Sequence, residues 1–117
     1  MAHISTHILD IARGAPAAGV LVTLHALERG ERRLLTSTTT NSDGRTTEPL
    51  LSADAIPVGQ YELTFFVGDY WRGRGEALAS PAFLDDVVIR VGVADAAGRY
   101  HVPLLVSPYG YSTYRGS

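Results

Sequence analysis

An all-β fold, a two-layer antiparallel sandwich, is what this sequence predicts, and three observations carry the prediction. Roughly seven or eight short runs alternate apolar and polar residues with period two. Gly, Pro, Asn and Asp cluster between the runs, and the chain of 117 residues is the length such a sandwich occupies. One domain, residues 1–117, can bury roughly two-thirds of the surface its unfolded chain exposes.

The elements follow in order. His3 to Leu9 reads as a strand, with Ile4, Thr6 and Ile8 on one face and His3, Ser5, His7 and Leu9 on the other. Asp10 to Gly19, with two glycines and Pro16, is loop chemistry. Val20 to Leu27 alternates again as a second strand. Glu28 to Arg33 is charged and contains Gly30, which predicts an exposed turn, and threonine-rich Leu34 to Thr40 predicts a third strand. Asn41-Ser42-Asp43-Gly44 is a tight turn that presents Arg45 in a fixed direction. Thr46 to Gln60 is loop-like with room for a short edge strand, and Tyr61 to Val67 is the clearest strand of the chain. Gly68 to Pro81 has space for one short helix, limited by Gly73 and Gly75. Val87 to Val93 resumes period two. Asp95 to Gly98 then turns into a last pair of strands, Tyr100 to Ser107 and Tyr111 to Arg115. Pro103 cannot donate to a ladder, so that strand should be irregular or unpaired there.

Composition narrows the chemistry. The apolar share of 45% with 19% charged is that of a water-soluble globular chain. No apolar run approaches the roughly 20 residues of a membrane-spanning helix, and the N-terminus lacks a secretory pattern, so no membrane partner and a cytoplasmic location are expected. The ten basic residues are all arginine, and a net charge of −2 offers no footprint for nucleic acid. With no cysteine there is neither a disulfide framework nor a thiolate metal site. Histidine spacing fits no metal motif, and nucleophile elbows and phosphate-binding loops are absent. No cofactor is expected. His, Arg and hydroxyls without a strong nucleophile suit water activation better than covalent catalysis. Read from residues alone, the chain is a β-sandwich with possible His and Arg chemistry.

Three blocks add to this. His7-Ile8-Leu9-Asp10 precedes Gly14 and Pro16; Asp43-Gly44-Arg45 lies mid-chain; His101-Val102-Pro103-Leu104-Leu105 leads through Tyr109-Gly110-Tyr111-Ser112-Thr113 to Tyr114-Arg115-Gly116-Ser117. Gly68-Asp69-Tyr70 joins them. Together they resemble the 5-hydroxyisourate hydrolases, the transthyretin-related enzymes of urate breakdown, over essentially the whole chain. The resemblance implies a transthyretin-like sandwich of two four-stranded antiparallel sheets with one short helix. It implies a homotetramer with active sites between dimers, and 5-hydroxyisourate as substrate. Carried over by position, the catalytic residues are His7, Arg45, His101 and Ser117, and the substrate is bound by His7, Arg45, Tyr114, Arg115 and Gly116.

A neutral imidazole is a suitable base for water near neutral pH. His101 and His7 together are expected to activate water, and Arg45 to offset charge on the attacked carbonyl. Tyr114 would line the pocket, and the Ser117 hydroxyl and carboxylate would orient a histidine or the water. Extension of the chain beyond Ser117 is expected to impair activity. Two other readings compete: a carrier of a hydrophobic hormone-like ligand, which needs an apolar channel, and an adhesive sandwich module.

Overall fold

A computed structural model describes residues Met1–Ser117. In chain order the elements are β1 (Ala2–Asp10), β2 (Ala15–Pro16), β3 (Leu21–Glu28), β4 (Glu31–Thr39), β5 (Leu51–Ala53), β6 (Gly59–Phe65), α1 (Val67–Gly73), β7 (Val87–Val93), β8 (Arg99–Ser107) and β9 (Gly110–Thr113). One sheet runs β2-β1-β8-β9, with β5 also on β1; the other runs β4-β3-β6-β7. The two sheets share one core, to which both contribute their inward rows.

Alternation decides which face each strand buries. In β1, Ala2, Ile4, Thr6, Ile8 and Asp10 point inward, while His3, Ser5, His7 and Leu9 stay half-buried on the outer face. The inward row meets Val22 and Leu24 of β3, Leu63 and Phe65 of β6, and Val102 and Leu104 of β8. Each large aliphatic or aromatic side chain removed from water contributes about 1.5–3 kcal/mol. Helix α1 adds Trp71, 1% exposed, to this core. The two polar residues in the inward row of β1 are satisfied. The Thr6 hydroxyl donates to the Val102 carbonyl at 2.7 Å. Asp10 accepts from the Tyr70 hydroxyl at 2.8 Å and from Arg13 Nε at 3.0 Å.

Several expectations need correction. The first sheet has five strands rather than four, and β1 pairs β8 in parallel, from His3↔Arg99 to Asp10↔Val106. Strands so far apart in the chain are not bound by a hairpin's antiparallel geometry. The turn expected over Glu28 to Arg33 shrinks to Arg29-Gly30, both with positive φ, and Glu31 already pairs with Glu28. Its charges mark an exposed edge strand rather than a loop. Val67 leaves the strand expected for it and starts α1. β9 ends at Thr113, so Tyr114 and Arg115 lie beyond the strand expected to hold them.

Pro103 does not interrupt β8, which pairs with β1 through it. Its carbonyl accepts the Thr113 hydroxyl at 2.7 Å, so its nitrogen also faces the β9 side, where β9 has ended and no ladder bond is lost. Glu62, on the face of β6 opposite Tyr61, Leu63 and Phe65, is only 6% exposed. Arg32 of β4 reaches it across β3 at 3.0 Å, and Arg90 covers it from the neighbouring β7 at 3.1 Å.

Candidate active site

The outer face of β1 and β8 carries His3, His7 and His101. Ser5 stands directly opposite His101 in the parallel register, and His7 opposite Pro103. His7 and His101 therefore share one face of adjacent strands, about 8 Å apart between Cα atoms from strand spacing and rise. First and next-to-last strands, far apart in sequence, thus bring the pair together.

Arg45 arrives from the turn after β4. Asn41 Oδ1 accepts the backbone N–H groups of Asp43 and Arg45, at 2.9 and 3.2 Å, and Gly44 N–H closes on the Asn41 carbonyl at 2.9 Å. The Gly44 carbonyl then accepts the Ile8 N–H at 2.8 Å, docking the turn on β1. Gly44 has φ +73°, and a Cβ there would collide with the Ile8 carbonyl, so only glycine permits the approach. His7 and Arg45 consequently form an isolated bridge.

The C-terminal residues arrive from the other side. Gly116 N–H donates to the His101 carbonyl at 2.8 Å. Arg115 anchors this tail: its guanidinium lies 4.2 Å over the Tyr100 ring and donates to the Arg99 carbonyl at 3.1 Å. A cation on an aromatic face contributes about 0.5–1 kcal/mol at an exposed site. Tyr100 is itself held, its hydroxyl accepting the N–H groups of Ala94 and Asp95 at 3.2 and 3.0 Å.

His101, Arg45 and Ser117 line one cleft of about 300 Å³ with Ser5, Thr46 and Glu48. None of its lining side chains is a large hydrophobe. His7 stands beside it. Its Nε2 lies 2.9 Å from the Asp43 carbonyl, which can only accept, so Nε2 carries a proton and Nδ1 has no protein partner. His101 is oriented the other way: Nδ1 is 2.9 Å from Ser5 Oγ, and Nε2 has no protein partner. Burial pushes the His101 imidazolium below its usual range, and the positive neighbours Arg45, His7 and His3 push in the same direction. Both effects favour the neutral ring, which offers a basic nitrogen.

Tyr114 and Arg115 line a different cavity, of about 360 Å³, between β7 and the β8–β9 pair, with Ile89, Val91, Tyr100 and Val102. That cavity holds no His, Asp or Glu, so acid–base chemistry belongs to the polar cleft. Of the expected site residues, the fold brings His101, Arg45 and Ser117 into the cleft, His7 to its margin and Gly116 behind His101. It sets Tyr114 and Arg115 apart from them. Sequence reading missed Ser5, although its place on the face of His7 was visible in the period-two pattern. It also missed Thr46 and Glu48, which sit in a loop without periodicity.

A β-sandwich with one short helix and a His/Arg cleft on an outer sheet face defines a transthyretin-like protein of the hydrolytic kind. The chain belongs to the HIUase/Transthyretin family, whose model matches residues 4–116. It is 51% identical to the 5-hydroxyisourate hydrolase of Ralstonia nicotianae over 117 residues, covering all of both chains. The structure of the Klebsiella pneumoniae 5-hydroxyisourate hydrolase is similar with a TM-score of 0.82 and 35% identity, covering all of both chains. That of an (S)-allantoin synthase is similar with a TM-score of 0.92 and 41% identity; the match covers 99% of this chain and 44% of that longer one.

Proposed function

We propose that the chain hydrolyses 5-hydroxyisourate to 2-oxo-4-hydroxy-4-carboxy-5-ureidoimidazoline in urate breakdown, as one transthyretin-like domain spanning residues 1–117. The observation that carries this reading is the convergence of His101, Arg45 and Ser117 from three distant segments on one polar cleft. Relatives named 5-hydroxyisourate hydrolase, about half identical over the full chain, support the substrate.

In this reading His101 Nε2 takes a proton from water as the water oxygen bonds to a ring carbonyl carbon. His7, through Nδ1, holds the same water. A positioned base contributes about 10²- to 10⁴-fold. The carbonyl oxygen becomes negative, and the Arg45 guanidinium offsets that charge. Collapse of the intermediate breaks the ring C–N bond, and the proton on His101 passes to the leaving nitrogen, so that one water is added overall. The Ser117 hydroxyl orients the water.

Tetramer formation belongs to the proposal too. β7 and β9 are edge strands with one unpaired side each, which supports association of copies. Tyr114, 60% exposed, then faces substrate across a subunit interface, and Arg115 holds the tail that presents Gly116 and Ser117. A cytoplasmic location completes the reading; no helix of the chain is long and apolar enough to cross a membrane.

The carrier reading has less support: an apolar cavity lies between β7 and the β8–β9 pair, but relatives about half identical over the full chain carry the hydrolase name. The test is to generate 5-hydroxyisourate from urate in a cuvette and follow its ultraviolet decay. Faster decay on adding the protein is expected, and an unchanged rate would overturn the proposal.

A further inference from the structure

Ser5 plays no part in that mechanism, yet it makes the one protein hydrogen bond to the ring that does the chemistry. Its hydroxyl lies 2.9 Å from His101 Nδ1 and shares the cleft with it. The opposite edge of the ring is packed just as closely. A Cβ built on Gly116 would stand 2.6 Å from His101 Cδ2, so the tail lies flat against that edge. The imidazole is thus wedged between Ser5 and Gly116. A flipped ring would set Cδ2 against the Ser5 hydroxyl and leave Nδ1 beside Gly116, whose N–H is already given to the His101 carbonyl.

Two tautomers are compatible with a 2.9 Å contact, and the surroundings choose between them. If Ser5 donated to Nδ1, the ring would carry its proton on Nε2. That N–H would have no protein acceptor and would share the cleft with the Arg45 cation. If Nδ1–H donates to Ser5 Oγ, the positive pole of the ring lies toward β1, and the Nε2 lone pair is free in the cleft that Arg45 also lines. Each arrangement leaves one donor without a protein acceptor, Nε2–H in the first and the Ser5 hydroxyl in the second, so electrostatics decides: the cationic surroundings of His101 favour a lone pair on the cleft side.

We propose that Ser5 is a positioning residue that accepts the Nδ1–H of His101 and so fixes the tautomer in which Nε2 is the base. When Nε2 takes a proton, the Nδ1–H bond to Ser5 is retained, so the ring changes charge without turning. The kinetic consequence rests on the proposed hydrolysis, whereas the tautomer can be read without substrate.

The experiment is ¹⁵N–¹³C multiple-bond NMR of histidine-labelled protein at about pH 8, where neutral rings dominate, alongside steady-state kinetics. In the unmodified chain, His101 Nδ1 is expected at the protonated-nitrogen shift and Nε2 at the lone-pair shift. Ser5→Ala should move the ring toward the Nε2–H form and lower kcat about 10- to 100-fold, smaller than the loss of the base itself, with KM little changed. Ser5→Thr, which keeps the hydroxyl on a strand residue, should restore both. A wild-type ring protonated on Nε2 overturns the assignment, even if Ser5→Ala does not fold. So does Ser5→Ala with the wild-type tautomer and kcat. A tautomer that shifts as expected in a protein with no hydrolase activity would sink the hydrolase reading and leave the assignment standing.

Discussion

Replacing Gly116 by alanine probes the packing behind His101 with one methyl group. The added Cβ would lie 2.6 Å from His101 Cδ2, 3.3 Å from Cγ and 3.4 Å from Cβ. Carbon atoms normally rest about 3.5–4.0 Å apart, so the closest contact is short by roughly 1 Å. Neither side yields freely. The ring is stopped on its far edge by Ser5 at 2.9 Å, and the tail is tied through Gly116 N–H to the His101 carbonyl at 2.8 Å. Relief comes by turning the ring away from Ser5 or by lifting the tail and taking Ser117 out of the cleft. A misplacement of about 1 Å can cost 10²-fold in rate, which corresponds to about 2.7 kcal/mol in the barrier. The fold itself should be indifferent, because Gly116 lies outside the core and its φ is not positive. Gly73→Ala is the control: nothing lies within 4 Å of its Cβ position. The assay is the ultraviolet decay of freshly generated 5-hydroxyisourate, with thermal unfolding of each variant. Gly116→Ala with wild-type kcat/KM would refute the claim that the tail sets the position of His101.

Three further outcomes are expected. His101→Asn should lower kcat by at least about 10²-fold with the melting temperature preserved, as enzyme kinetics and calorimetry can check. The acid limb of kcat/KM should lie below the ordinary histidine value of about 6.5, because burial, Arg45, His7 and His3 all favour the neutral ring; Arg45→Gln should move that limb upward, whatever it does to the maximum rate. The same shift has a stability sign. A ring held neutral by the fold contributes fully above about pH 6.5, and the contribution is lost as pH falls toward its lowered folded value. Asp10 behaves alike at lower pH. Burial alone would raise its pKa, but the bonds from Tyr70 and Arg13 outweigh this and lower it, so its contribution is present above about pH 3.9 and lost as pH falls through the folded value. Asp10→Asn should accordingly cost about 1–3 kcal/mol in urea unfolding at pH 7.

Strands whose faces differ in polarity were legible in the sequence. β7 spans the residues its alternation predicts, and the outward row of β1 carries Ser5 and His7 as expected. Asp43-Gly44-Arg45 was legible because turn chemistry is local. What escaped depends on partners distant in the chain. Nothing within β1 or β8 states that they run parallel, since alternation fixes a strand's face and not its neighbour. Nor does Glu62 announce that Arg32 and Arg90 will cover it. Arg115 reads as a cation beside a site, but Tyr100 draws its side chain to a separate cavity.

The two irregular segments of the site are docked by one device. Gly44 lies where a side chain would strike the Ile8 carbonyl, next to His7, and Gly116 lies where one would strike His101 itself. In each case a missing Cβ lets a loop or tail come within hydrogen-bonding distance of a strand that carries a histidine. The histidines gain precision from the β1–β8 ladder, and Arg45 and Ser117 gain it by proximity to that ladder. This explains why the site residues fall into three separate blocks, two of which carry a glycine immediately before Arg45 or Ser117. The spacing reflects how closely a backbone without side chains can approach a sheet, and substitution at either glycine should disturb the cleft before it disturbs the core.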